Sequence, residues 1–211
     1  MELAFIVTVF VTLFVVIDPI GLAPIFVALT QGRSPAARRA IALRACVISV
    51  GLLTLFGLAG EGVLAFIGIS MPAFRIAGGI LLFLTALDML FERRTRRREH
   101  RAESEAEDEH SDDPSVFPLA MPLIAGPGAM ASMILLAGQV QGDWIGILTV
   151  HLVMIAVVAL AFALFLSAGL LERALGRMGT LVITRLLGML LAALSVQFVI
   201  DGVRNIGLIA G

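Results

Sequence analysis

A carboxylate, two prolines and a glycine interrupt an otherwise apolar stretch, Val15-Val16-Ile17-Asp18-Pro19-Ile20-Gly21-Leu22-Ala23-Pro24-Ile25-Phe26. A second interruption, Pro122-Leu123-Ile124-Ala125-Gly126-Pro127-Gly128-Ala129, lies in the other half of the chain. Proline has no amide proton, and its ring clashes with the carbonyl four residues back. Pro19 and Pro24 therefore free the carbonyls of Val15 and Ile20, and Pro122 and Pro127 free those of Pro118 and Leu123. Gly21, Gly126 and Gly128 allow backbone angles that other residues avoid. Each break also starts a new half-helix. Asp18 stands at the N-cap with Pro19 at the first helical position, and Gly126 with Pro127 repeats the arrangement. A helix N-terminus offers unpaired amides and a partial positive charge, which suits an anion. One break is charged and the other neutral, and that asymmetry suits a zwitterion. Its carboxylate would rest on the amides near Gly128, Ala129 and Met130, and its ammonium would meet Asp18 and the freed carbonyls.

The elements that must carry these breaks follow from composition. Of 211 residues, 59% are hydrophobic and 15% charged, against about half and a quarter in soluble domains. Residues 92–113 hold 15 of the 31 formally charged residues. The rest is nearly continuous apolar sequence in runs of about 20 residues or more, the length that crosses a bilayer. The chain reads as an all-α integral membrane protein. Six spans fit, over residues 3–30, 38–60, 72–91, 115–138, 143–171 and 180–203, with the second free to continue towards Ile69. Ser34-Pro35, Ser70-Met71-Pro72 and Asp113-Pro114 are cap-then-proline starts. Met1-Glu2 lacks the basic region of a cleavable signal peptide, so the first run reads as a span. Net charge near zero gives no nucleic-acid footprint, and the lone Cys46 supports neither a disulfide nor a cysteine metal site. No cofactor and no metal centre are expected.

Arginines set the orientation. Arg33, Arg38, Arg39 and Arg44 follow span 1, six arginines from Arg93 to Arg101 follow span 3, and Arg173, Arg177 and Arg185 follow span 5. The opposite face has Arg75 and Arg204. Arginine-rich loops are cytoplasmic, which puts both termini on the outer, periplasmic side. The charged island has almost no apolar residues, so residues 92–114 read as a disordered cytoplasmic linker whose arginines fix topology. A lipid-binding or regulatory segment is the other reading of it.

The linker divides the chain into a three-helix unit at 1–91 and another at 115–211. The halves match weakly: Arg75, Gly78 and Thr85 align with Arg185, Gly188 and Ser195, and Asp18-Pro19-Ile20-Gly21 lies near the offset of Gly126-Pro127-Gly128-Ala129. An odd number of spans per half makes the repeats inverted, as in many secondary transporters. Spans 1 and 4 are then interrupted at mid-membrane, where free backbone groups survive only inside protein or along a wet cavity. The expected substrate-binding residues are Asp18, Pro19, Gly21, Pro24, Gly126, Pro127, Gly128 and Ala129. A carboxylate at that depth is costly and is by default functional, and Asp18 equally suits a coupling proton or sodium ion. The plainer reading is that Asp18 only caps its helix and the prolines only kink theirs. Arg75 and Arg185 either snorkel or pair with Asp88, Asp201 or Glu61. His151 and Gln197 read as interhelical hydrogen-bond partners, and Thr85 and Ser195 either line the cavity or bond their own backbone.

The paired motifs, Asp18 to Phe26 and Pro122 to Ala129, resemble those of the MarC family of inner-membrane proteins, also described as a neutral amino acid transporter family. The resemblance covers both halves and leaves out the charged island. It implies an inner-membrane protein, with some relatives described as taking up small neutral amino acids such as alanine, glycine or serine. The expectation is a secondary transporter for small neutral amino acids working by alternating access, a state compatible with a homo-oligomer in the bilayer. The alternatives are a transporter or channel for another small solute or ion, and a non-transporting scaffold. No pair of acids, nucleophile-base set or metal triad stands in the spans, so an enzyme is not expected.

Overall fold

The computed structural model describes residues 3–93, 97–98, 113–140 and 142–206. They form eight helical segments, and no strand occurs among the described residues. These are α1 (Leu3–Ile17), α2 (Pro19–Leu29), α3 (Pro35–Ile67), α4 (Met71–Leu90), α5 (Ser115–Ile124), α6 (Pro127–Gly138), α7 (Trp144–Leu166) and α8 (Ala168–Asn205). Five stretches are long and apolar enough to cross a membrane, taking α1 and α2 together as one and α8 from Met178. The bent pair α5 and α6 makes a sixth if it counts as a single span.

The starts follow the caps read in the sequence. Ser34 accepts from the Ala37 amide at 3.3 Å and Ser70 from the Ala73 amide at 3.4 Å, each with a proline in the first turn. Asp143 caps α7 through the Ile145 amide at 3.0 Å. Asp113 accepts from the Ser115 amide at 3.0 Å and also pairs with Arg44 of α3. Burial pushes the Asp113 carboxyl up, but the bonds from Ser115 and the charges of Arg44 and Arg33 outweigh it and hold it below its ordinary value. The second span runs on to Ile67, further than 60, and stops where Gly68 takes a left-handed φ of 86°. The last one begins as early as Ala168 and is broken within by a non-helical Gly176.

The two half-helices that follow the breaks lie at the centre. In α6 every residue from Ala131 to Ala137 is buried, and in α2 only one side escapes burial. A helix that is apolar all round belongs inside. The longer helices α3, α4, α7 and α8 pack around them and keep apolar side chains outward as well, among them Leu55, Phe66, Leu84, Leu152 and Leu190. Apolar residues both within and without are what a bilayer environment requires.

Helices α4 and α8 approach closely through glycines. A Cβ on Gly79 would stand 2.8 Å from the Ser195 carbonyl oxygen, and one on Gly202 would stand 3.0 Å from that of Pro72. Backbone cannot step aside as a side chain can, and small residues are the usual basis of such contacts in membranes. Gly79→Val is expected to destabilise the protein by about 1–3 kcal/mol, the usual cost of overpacking. Thermal melting in detergent would read this, and an unchanged midpoint would count against the close approach.

Candidate functional site

The break in the first span is a single residue. Asp18 adopts the left-handed conformation (φ 57°, ψ 61°) between α1 and α2, a region where Asp is tolerated better than most residues. Its Oδ1 accepts from the Gly21 amide at 3.1 Å, the N-cap bond that the sequence suggests. That amide would otherwise serve the Ile17 carbonyl in a continuous helix. Gly21 is required here: a Cβ would collide with the Asp18 carboxylate. Asp18 is 1% exposed.

The second break is longer. Phe117 and Met121 are extended (φ −127° at both, ψ 128° and 122°), and each precedes a proline, which biases its neighbour away from helix. The peptide bonds to Pro118 and Pro122 are cis. The turns between are wide, with Leu119 and Ala125 amides reaching carbonyls five residues back. The chain then bends by 54° into α6. Gly126 is the N-cap, without a side-chain bond, and Pro127 is the first helical residue. A Cβ on Gly126 would stand 2.5 Å from the Pro122 carbonyl oxygen, so only glycine fits. The Met130 amide bonds the Gly126 carbonyl at 3.0 Å. Of the three amides expected to face an anion, Gly128 and Ala129 therefore remain in the first turn, where no helical acceptor exists.

The two breaks come together. The Cβ position of Gly128 is 3.3 Å from Val16 and 3.7 Å from the Thr85 hydroxyl. A cavity of about 450 Å³ opens there, lined by Gly126, Pro127, Gly128 and Ala129, by Val16, and by Thr85 and Asp88 of α4. Asp18, Pro19 and Gly21 are buried just behind it and do not line it, whereas Pro24 is exposed, away from the cavity.

Two further residues line the cavity from a place where sequence reasoning put a solvated linker. Arg98 is 7% exposed. Its Nη1 stands 3.4 Å from Asp18 Oδ2, and its Nη2 donates to the Ile17 carbonyl at 3.4 Å. Arg97 pairs with Asp88 at 2.9 Å. Of residues 92–114, Glu92, Arg93, Arg97, Arg98, Asp113 and Pro114 are described, and the remainder of the expected disordered segment lies outside the described residues. The physical reason for Arg98 is plain: a carboxylate buried as deeply as Asp18 demands a compensating charge. Both Arg98 distances exceed the roughly 2.7–2.9 Å of a tight charge-assisted bond. The contacts are loose ones, and another cation could take them over.

The other polar residues divide. Thr85 both lines the cavity and donates to the Leu81 carbonyl at 3.0 Å. Ser195 donates to its own helix at Ala192, and Gln197 to Asp201 of the same helix. Arg185 pairs with Glu92. His151 bonds no neighbouring helix: its Nδ1 donates to the Ile147 carbonyl at 2.8 Å, and its buried Nε2 has no hydrogen-bond partner among the described residues. No group of three or more His, Cys, Asp or Glu side chains suited to a metal ion occurs among the described residues.

Long apolar helices wrapped around two broken ones define a polytopic integral membrane protein. The chain belongs to the MarC family: the family described as MarC family integral membrane protein matches residues 3–207. Among its relatives, a UPF0056 membrane protein of Methanocaldococcus jannaschii is 33% identical over 205 residues, covering 97% of this chain and 98% of that one. UPF0056 membrane protein YvbG of Bacillus subtilis is 36% identical over 206 residues, 97% of each chain. UPF0056 inner membrane protein YhgN of Escherichia coli is 33% identical over 196 residues, 92% of this chain and 93% of its own. No solved structure matches.

Proposed function

We propose that the chain is a secondary transporter of the inner membrane, carrying small neutral amino acids by alternating access. The observation that carries this reading is the charge balance of the site. Two carboxylates, Asp18 and Asp88, are each matched by a guanidinium, Arg98 and Arg97. A ligand of zero net charge with one group of each sign can enter by exchange of partners. A free anion or a free cation would leave a buried charge uncompensated, which costs several kcal/mol. The ligand carboxylate lies on the Gly128 and Ala129 amides beside Thr85. The ammonium takes the contacts with Asp18 and the Ile17 carbonyl that Arg98 holds without it. Asp18 equally suits the coupling proton or sodium ion when the ammonium is not on it. The site binds and releases its cargo unchanged, so the protein is not an enzyme.

The two halves act as inverted repeats, with their breaks meeting at mid-membrane. In support, Gly79 abuts Ser195 and Val199, and Gly188 abuts Ala86 and Met89. In the register that aligns Thr85 with Ser195, Met89 aligns with Val199. Each helix thus offers a glycine to the same stretch of the other, one position away from the aligned register, in which Gly188 matches Gly78. Rocking of one repeat against the other runs along this α4–α8 seam. The arginine-rich end faces the cytoplasm, and the termini face the periplasm.

Labelled alanine is expected to bind the purified protein saturably. Glycine and serine should compete, while acetate and methylammonium, which each carry half of the zwitterion, should not. Displacement by acetate as effective as that by glycine would contradict the amino acid reading and favour a small anion.

A further inference from the structure

A second cavity, of about 480 Å³, lies between the α2–α3 turn and the α7–α8 turn and shares none of the described lining residues with the first. Its rim carries four arginines, Arg33, Arg38, Arg39 and Arg173, and no acid is among the described residues that line it. Other arginines at this end of the molecule are matched: Arg44, Arg97, Arg98 and Arg185 each pair with a carboxylate. Among the described residues none of the four rim arginines has an ion-pair partner, and Asp113, on which the charge of Arg33 acts, is held by Arg44. Four guanidiniums around one hollow repel one another unless an anion joins them.

The floor fixes the level and shape of the hollow. Phe26 of α2 stacks on Phe165 of α7 at 4.8 Å, and the Arg38 guanidinium lies 5.7 Å over the Phe26 ring. Cation–π contact of this kind holds a guanidinium in place against bulk water. The cavity opens where apolar helices end, α2 at Leu29 and α7 at Leu166, which is the depth of lipid headgroups. Leu166 and Leu170 line it and remain 49% and 69% exposed. They continue the hollow as an apolar wall.

We propose that this cavity binds an anionic phospholipid, its phosphate held by Arg33, Arg38, Arg39 and Arg173 and an acyl chain lying along Leu166 and Leu170. Guanidinium groups match phosphate oxygens in bidentate geometry, and basic pockets between spanning helices are suited to acidic headgroups. The exposed leucines favour a lipid over a soluble phosphate, which would use the arginines alone.

Native mass spectrometry of the full chain in detergent, titrated with phosphatidylglycerol, phosphatidylcholine and inorganic phosphate, tests this. Phosphatidylglycerol should be retained in preference to phosphatidylcholine, and excess inorganic phosphate should not displace it. Arg39→Gln with Arg173→Gln changes two exposed side chains, so the fold is not at issue. The pair should weaken phosphatidylglycerol binding by about tenfold or more, given roughly 1 kcal/mol per basic residue at a charged membrane surface. Arg204→Gln, at the far end of α8, should leave it unchanged. Equal retention of both lipids, or equal retention by the double variant and wild type, would overturn the proposal. Displacement by inorganic phosphate would overturn it in favour of a soluble anion.

Discussion

Asp18→Asn is expected to weaken alanine binding by about ten- to a hundredfold, the worth of a charge-assisted hydrogen bond. The substitution is chosen because it changes little else. Asn tolerates the left-handed backbone that Asp18 adopts, and its side-chain oxygen can still accept from the Gly21 amide. The start of α2 therefore survives. What is lost is the negative charge that an ammonium or a coupling cation would meet. The change also takes the carboxylate away from Arg98, and breaking a buried ion pair from one side costs about 3–5 kcal/mol. A lower melting temperature is therefore expected alongside weaker binding. The double variant Asp18→Asn with Arg98→Gln separates the two effects: stability should return and binding should not. Asp18→Ala would confound them, because it also removes a cap worth about 1 kcal/mol. Wild-type alanine binding by Asp18→Asn would exclude Asp18 from the site.

Gly126→Ala should destabilise the protein by about 1–3 kcal/mol and abolish alanine binding. The added methyl meets the Pro122 carbonyl oxygen at 2.5 Å. This is a backbone atom fixed between two prolines, so no rotamer change relieves the overlap. The junction of α5 and α6 has to open, and the Gly128 and Ala129 amides move with it. Gly128→Ala makes the contrast. Its methyl meets a Val16 side-chain carbon at 3.3 Å, which can yield by a few tenths of an ångström. That variant should fold and lose affinity only in part. Detergent melting curves and binding isotherms for the two variants would read the difference. Similar behaviour of both would show that the tightness at Gly126 does not shape the site.

The spans were legible because apolar runs, serine caps and prolines act locally. Ser34-Pro35 and Ser70-Met71-Pro72 mark helix starts in the structure, and Asp18-Pro19 and Gly126-Pro127 mark the two breaks. The extent of the second break was less legible, since Phe117 and Met121 yield to the prolines that follow them and the irregularity begins well before Gly126. Arg98 could not have been singled out by type or spacing, because it is one of six arginines in a charged run. The signal was indirect: a carboxylate predicted to be buried needs a cation, and the spans offered none nearby. Thr85 and Asp88 carried a usable signal, being three residues apart and so on one face of α4. Pro24 belongs to the same motif as Asp18, but helical rotation carries it to the exposed side.

The account stands most directly on uptake by wild-type protein in proteoliposomes, with labelled alanine, glycine and serine under imposed proton and sodium gradients. It expects accumulation driven by one of the two gradients and collapsed by an ionophore for that ion. Folded protein that accumulates none of the three under either gradient would contradict it.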